Sequence, residues 1–340
     1  NKYLLHGWSW SLDFSRVGRM RASGVDVSLC RIPGAVKRTY WQQLRFPSIE
    51  NIIGDFDLFH SVDPFLPPTR KPTIATLHDV ISFDHPEWFM PSVTERHRAL
   101  LRGLETAEAI IVPSRHVLER LRDLAPSLGS RASVVHWPVG KNFRKAAFSP
   151  EVVTKPAGRE APYVLFVGTI EPRKNVEGLL RAFEEYVAPA FPELRLTIVG
   201  RMGWKSRVVA SRLRDLSQQG KVRVLGYVQE GQLPALYRNA SLFVYPSFDE
   251  GFGLPVLEAM ACGLPVLTSD IPPMRELWGM AASLVNPGDV QSLAAGMIAL
   301  LQDSSLRSRV QAEGGRKVLE MSPEASAAGV LRLYGELAGR

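Results

Sequence analysis

The chain has 340 residues, enough for two domains of ordinary size, and is 45% apolar with a mean hydropathy near zero, the balance of a globular protein. No apolar run approaches the roughly 20 residues needed to span a bilayer. Only Cys30 and Cys262 occur, far apart and without metal-ligand spacing, so neither a disulfide framework nor a cysteine metal site organises the chain. The net charge of +7 is uneven: residues 1–150 hold 20 Lys and Arg against 14 Asp and Glu, and residues 151–340 hold 21 against 20. The basic surface therefore belongs to the first half, where an anionic membrane surface or a phosphorylated acceptor would be attracted. No zinc finger, aromatic RNP signature or basic tract is present, so no nucleic-acid partner is expected. Without a secretory signal at its start, the chain is expected in the cytoplasm.

Taken in order, the first half alternates short apolar runs with helical or turn-rich stretches. The runs are Val27–Ile32, Asp57–His60, Thr73–Leu77, Ala109–Val112 and Ser133–Val135, and Ser92–Ala107 and Arg115–Leu124 are predicted helices, the second capped by Ser114. Runs this short, interleaved with helices, indicate buried parallel strands in a doubly wound sheet. Ligands of such sheets bind beyond the carboxyl ends of the strands, which singles out His78 and Asp79 after Thr73–Leu77, and His60 at the end of its run. All seven histidines lie within residues 1–136. The Pro-, Lys- and Gly-bearing stretch Phe148–Pro162 reads as a linker, with a boundary near residue 155.

The second half repeats the pattern with predicted strands at Pro162–Val167, Leu194–Val199, Lys221–Leu225, Leu242–Tyr245, Leu264–Thr268 and Ala281–Val285. After the first comes the turn Gly168–Asn175, which carries Thr169, Arg173 and Lys174; after the second come Gly200 and Arg201. Two cations in such a turn can neutralise charge growing on a departing diphosphate. After Leu242–Tyr245 the sequence reads Pro-Ser-Phe-Asp-Glu250-Gly251-Phe252-Gly253-Leu254-Pro255-Val-Leu-Glu258: a strand, a glycine-bearing loop and a helix start at Leu254 or Pro255. A helix N-terminus gathers unpaired N–H groups and suits a phosphate, while Gly251 and Gly253 let it approach the backbone. Glu250 precedes the loop and Glu258 is expected in the first helical turn, where both carboxylates can address hydroxyls of one ligand. An acid there can also merely complement the helix dipole, but that asks for no such loop. No G-x-G-x-x-G follows a strand and no Walker Lys-Ser/Thr occurs, which disfavours a dinucleotide oxidoreductase and a P-loop NTPase. The terminal segment Pro323–Leu337 is a predicted helix with Ala327, Val330, Leu331 and Tyr334 on one face.

The nonapeptide Glu250–Glu258 resembles the Glu-x7-Glu motif of retaining glycosyltransferases of group 1 (family 4), and Ala75–Asp79 with Phe83–Phe89 resembles the cleft of their bacterial mannosyl- and glucosyltransferases. The resemblance implies an α/β fold of two Rossmann-like, doubly wound parallel-sheet domains (GT-B) with a cleft between them. These are an acceptor-side domain over residues 1–155, a nucleotide-sugar domain over 156–325, and a helix over 326–340 that crosses back to the first domain. It implies that Glu250 contacts the donor sugar, that the amides of Gly251, Phe252, Gly253 and Leu254 bind the diphosphate, and that Glu258 holds the ribose. His78 would lie near the reacting carbon, with Asp79 and His60 toward the acceptor. The family's turn Arg is replaced by Thr169, so Arg173 is expected to stand in beside Lys174; Gly200 and Arg201 would complete the donor wall. The reaction implied is hexose transfer from GDP-mannose or UDP-glucose to a glycan or lipid-linked hydroxyl at the inner membrane face, in polysaccharide or glycolipid synthesis, with no metal and no further cofactor. The family's opening strand and glycine-rich loop are expected to be missing ahead of Asn1, which would weaken binding and leaves a catalytically degenerate sugar-nucleotide-binding protein as the alternative.

Overall fold

A computed structural model describes residues 6–9, 26–29, 41, 46–143, 161–229 and 231–338. The linker expected near residue 155 lies outside this set. So do residues 1–5 and most of the N-terminal segment, on which the expectation of a missing strand and loop falls.

Among the described residues every strand pairing is parallel. Strands β1 (His6–Ser9) and β2 (Asp26–Leu29) pair with each other. A four-stranded sheet follows in the order β3 (Phe59–Ser61), β4 (Thr73–Thr76), β5 (Ala109–Val112) and β6 (Ala132–Val134). Alternation along these strands divides the residues between two cores, because successive side chains point to opposite faces. Ala75, Ile110 and Val112 pack with Val117 and Leu121 of helix α2 (Arg115–Leu124), behind helix α1 (Pro91–Gly103) in the chain. Ile74, Ile111 and Val135 face the other way.

The second sheet has the order β12 (Ser283–Val285), β11 (Val266–Ser269), β10 (Leu242–Tyr245), β7 (Tyr163–Val167), β8 (Arg195–Val199) and β9 (Val222–Gly226). The chain therefore grows outward from β7 through β8 to β9, returns to β10 on the other side of β7, and grows outward again. Between β7 and β10 the direction of growth reverses. At such a switch point the loops leaving the two central strands diverge to opposite faces and open a crevice. The loops are Gly168–Asn175 and Pro246–Gly253, which carry Arg173 and Lys174 and the Glu250-Gly-Phe-Gly stretch. Helices α3 (Val176–Ala182), α4 (Arg207–Gln218), α5 (Leu233–Asn239), α6 (Leu254–Ala261), α7 (Pro272–Trp278), α8 (Val290–Gln302) and α9 (Ser304–Glu320) complete this half. All four residues of β10 are buried, each large apolar side chain contributing roughly 1.5–3 kcal/mol.

The last helix, α10 (Pro323–Ala338), opens at Pro323, where the sequence predicts it, and lies on the first sheet, where Leu333 and Leu337 join Ile74, Ile111 and Val135. The expected apolar face needs correction. Val330 and Tyr334 pack inward, but Ala327 and Leu331 are exposed and Leu333 and Leu337 take their place. The helix is apolar on more than one side, so periodicity alone could not choose; the tight approach of Gly329 to Val135 and the bond from Ser326 Oγ to His136 O (2.6 Å) set the rotation.

Candidate active site at the strand ends

In the turn after β7, Pro172–Lys174 forms a single 3-10 turn that ends on Asn175 with φ +52°. Asparagine tolerates this left-handed conformation better than most residues. Its side chain caps α3 by accepting from Gly178 N (3.2 Å), and a Cβ at Gly178 would sit 2.4 Å from that oxygen. The cap closes the turn with Lys174 directed inward and buried. Lys174 Nζ lies 2.5 Å from Glu250 Oε1 and donates to the Tyr245 hydroxyl. Arg173 Nη1 is 2.9 Å from the same carboxylate oxygen and 3.0 Å from Asp249 O, and its Nη2 is 2.9 Å from Glu171 Oε1.

This is a buried cluster of two cations and two anions, with no net charge of its own. Burial by itself would raise the Glu250 pKa, but Lys174 and Arg173 outweigh it and hold the carboxyl at about 2. Burial also works against the charge on Arg173, yet Glu250 and Glu171 keep its pKa above the ordinary value. For Lys174 burial prevails, and the neighbouring guanidinium adds to it, so its pKa is lowered despite Glu250. Tyr245 stays a neutral phenol, since burial and the Glu250 charge both raise its pKa. The four side chains form a tightly coupled unit rather than a solvated Arg-Lys pair beside an independent acid.

The loop after β10 is held from several directions. Phe248 N donates to Arg173 O (2.8 Å), Glu250 N to Asp249 Oδ1 (2.7 Å), and Trp278 Nε1 to Phe252 O (3.2 Å). From the first sheet, Ser114 Oγ donates to Gly251 O (2.8 Å). Helix α6 begins at Leu254, one of the two starts the sequence allows, after Gly253 at φ +85°. That position requires glycine twice over, because a Cβ there would also meet Met274 Cε at 3.0 Å. The loop carbonyls are thus occupied, while among the described residues the N–H groups of Gly251, Phe252, Gly253 and Leu254 donate to no protein group. Four successive unpaired amides at a helix N-terminus are an anion site.

Glu258 lies one turn later than expected. It is the fifth residue of α6, outside the first turn, because the helix opens at Leu254, and its Oε2 accepts from the Tyr237 hydroxyl (3.0 Å). Thr169 is exposed at the end of β7. Gly200, at φ +149°, lies so close to the turn that a Cβ would fall 1.8 Å from Gly168 O. Next to it, Arg201 is exposed and lays its guanidinium 4.6 Å from the ring centre of Tyr227.

The first sheet meets this site through its backbone. A Cβ at Gly251 would lie 2.3 Å from His78 O and 3.1 Å from Asp79 Cβ, so the loop after β10 abuts the end of β4. The His78 ring is exposed, with Nε2 3.0 Å from Val62 O and its face against Trp137. Asp79 accepts from Ile81 N (3.2 Å). His60 is different: it lies inside β3 rather than after it. Its ring nitrogens are 2.8 Å from the Tyr334 hydroxyl and 3.1 Å from Thr76 Oγ1, and burial lowers its pKa. Both polar positions of the ring are therefore taken by the seam between β3, β4 and α10, which corrects the expectation that His60 lines an acceptor pocket.

Some partners were not singled out from the sequence. Glu171 and Asp249 stand next to chosen residues, and Tyr245 ends a strand, so each carried a positional hint. Trp88, which meets Phe248, lies within the Phe83–Phe89 stretch already set beside the family's cleft, whereas Glu276, which reaches the cleft from α7, carried no hint. Among the described residues no group of three or more His, Cys, Asp and Glu gathers as a metal site would, and no helix is long and apolar enough to cross a membrane.

The family described as glycosyl transferases group 1 matches residues 152–317. The chain is 32% identical over 270 residues to O-antigen chain mannosyltransferase B of Escherichia coli, covering 78% of this chain and 71% of that protein. It is 30% identical over 305 residues to a phosphatidyl-myo-inositol mannosyltransferase of Mycobacterium leprae (strain TN), covering 84% and 75%. Among solved structures it is similar to Anabaena Alr3699/HepE in complex with UDP and glucose, with a TM-score of 0.73 and 17% identity over 95% of this chain and 89% of that one.

Proposed function

Because the chain belongs to the glycosyl transferases group 1 family, we propose that it moves a hexose from a nucleotide sugar to an acceptor hydroxyl with retention at the anomeric carbon, without a metal ion. The observation that carries this reading is the row of unpaired amides from Gly251 to Leu254 beside Lys174 and Arg173, at the switch point of the second sheet. A diphosphate placed there meets the helix dipole and four N–H donors. Since Lys174 and Arg173 already share Glu250, the diphosphate draws on them by pulling them partly off that carboxylate, and this frees Glu250 to hydrogen-bond the sugar hydroxyls. Glu258 takes the ribose, Gly200 and Arg201 line the donor wall beside Thr169, and His78 and Asp79 approach from the first sheet.

In the reaction the acceptor oxygen forms a bond to the anomeric carbon as the bond from that carbon to the phosphate oxygen breaks. The electron pair leaves with the diphosphate, and the acceptor's proton passes to it on the same face, so no separate general base is required. The loop amides and the two cations stabilise the growing charge, the work a divalent ion does elsewhere. The names of the two bacterial relatives favour mannose, hence GDP-mannose, with UDP-glucose next. A glycan or lipid-linked acceptor in polysaccharide or glycolipid synthesis fits the same comparisons. The basic first half suits a cytoplasmic enzyme docking on an anionic inner-membrane face.

The test is a thermal-shift panel of nucleotides followed by turnover of GDP-mannose and UDP-glucose with and without chelator, with the product's anomeric configuration read by NMR. Stabilisation by a nucleoside diphosphate and turnover unaffected by chelator are expected. Inversion, or activity lost to chelator and restored by magnesium, would overturn the mechanism. Binding without turnover would leave a sugar-nucleotide-binding protein.

A further inference from the structure

The N-terminus of α2 on the first sheet is completed by the second. A helix start leaves several N–H groups without intrahelical partners. Here the third, Val117 N, is met by its own cap, Ser114 Oγ (3.2 Å). The first two are met from across the cleft: Arg115 N and His116 N donate to the two carboxylate oxygens of Glu276 on α7, at 2.7 and 2.8 Å. The Ser114 hydroxyl, fully buried, accepts from its own helix and also donates its proton to Gly251 O at 2.8 Å. One side chain thus does two things that sequence can show only in half, since N-capping has a sequence signal and a bond to a residue 137 positions away has none.

We infer that Ser114 is a positioning residue for the diphosphate loop, acting through the Gly251 carbonyl, with Glu276 holding the two sheets together at that point. The peptide between Gly251 and Phe252 is planar, so fixing the carbonyl of the first fixes the direction of the N–H of the second. The loop amides therefore take their final orientation only when the first sheet is docked. Gly251 lets the two backbones come this close, since any side chain there would strike His78 O. Acceptor-side closure and donor-side alignment are then one event, and cleft opening releases Ser114, Glu276 and the loop together. This rests on the reading of Gly251–Leu254 as the diphosphate cradle.

The experiment compares Ser114→Gly, Ser114→Ala and Ser114→Thr in the full chain, by hydrolysis of GDP-mannose or UDP-glucose, whichever the unsubstituted protein turns over, and by thermal unfolding. Gly and Ala lose the same hydroxyl but differ as caps, glycine being tolerated at an N-cap much better than alanine. The expected result is that both lower kcat by the same factor, roughly 10-fold, with the donor KM within about 2-fold, although Ala melts lower than Gly; Thr restores kcat. Glu276→Gln is expected to lower kcat about 3-fold, a smaller effect at an exposed position. A kcat that follows the melting temperature, with Gly near the unsubstituted protein and Ala low, overturns the inference and leaves Ser114 as a cap. Failure of the unsubstituted protein to bind or turn over either sugar nucleotide overturns the functional reading, and this inference with it.

Discussion

On the second sheet Lys174 and Arg173 share one oxygen of the buried Glu250, and Glu171, bound to Arg173, completes a set of two cations and two anions that cancel; on the first, His78 is exposed and one ring nitrogen bonds a single carbonyl. The second-sheet cluster is therefore preorganised, its side chains held against one another by the fold. The first sheet presents instead an exposed ring, His78, held by one bond to Val62 O and by contact with Trp137. A charge cluster of this kind is stable only while every member is present, whereas an exposed histidine contributes little to folding. Substitutions on the two sides should differ in kind: those on the donor side should change stability and turnover together, and those on the acceptor side turnover alone.

The largest expected effect is at Glu250. Glu250→Gln leaves the buried Lys174 without a carboxylate and Arg173 with Glu171 alone, and is expected to lower stability by about 3–5 kcal/mol and donor turnover by on the order of 10²–10³, read by urea unfolding and product formation. The pH dependence has a defined sign. The folded carboxyl titrates at about 2 against an ordinary 4.5, so its stabilisation is complete above about pH 4.5 and is lost as pH falls toward 2. The gap in urea midpoint between the parent chain and Glu250→Gln should narrow over that interval. A gap constant from pH 7 to pH 3 would mean the cluster is not paired as described.

Next is Gly251→Ala, which places a methyl group 2.3 Å from His78 O and must separate the sheets. A loss of turnover of roughly 10² is expected with the nucleotide-induced rise in melting point largely kept, because the cradle is on one side of the separation. Equal loss of both would show that the donor side depends on the first sheet for binding as well as alignment. His78→Ala should lower turnover about 10- to 100-fold, the worth of one or two hydrogen bonds made in the transition state, with an unchanged melting temperature. A drop in melting temperature would remove the contrast between the two sides. The smallest effect is expected at His60→Ala, which removes the bonds to Tyr334 and Thr76 and should cost about 1 kcal/mol by loosening α10, seen as faster amide exchange in that helix.

Most strands and the two helices after β4 and β5 were legible, since a short apolar run between turns is a local signal, and β5, β10 and α2 match their expected bounds residue for residue. The start of α6 was equally plain from Gly253, Leu254 and Pro255. Legibility ended where two faces of an element were both apolar, as in α10, and where a residue's neighbours come from far along the chain. His60 illustrates the second case: it stands at the end of an apolar run, but the run extends one residue further as a strand and Tyr334 arrives from 274 residues away. Glu258 was displaced by the count of a single helix turn.

The sequence by itself determined the parallel architecture, the position of the glycine loop and the gathering of cations and acids at two strand ends, because each depends on the order of residues within a few positions. Tertiary structure decided that Arg173 and Lys174 spend their charge on Glu250 and that Ser114 and Glu276 join the sheets. These are pairings between segments tens to hundreds of residues apart: the first exist only once β7 and β10 lie side by side in the second sheet, and the others only once both sheets have packed.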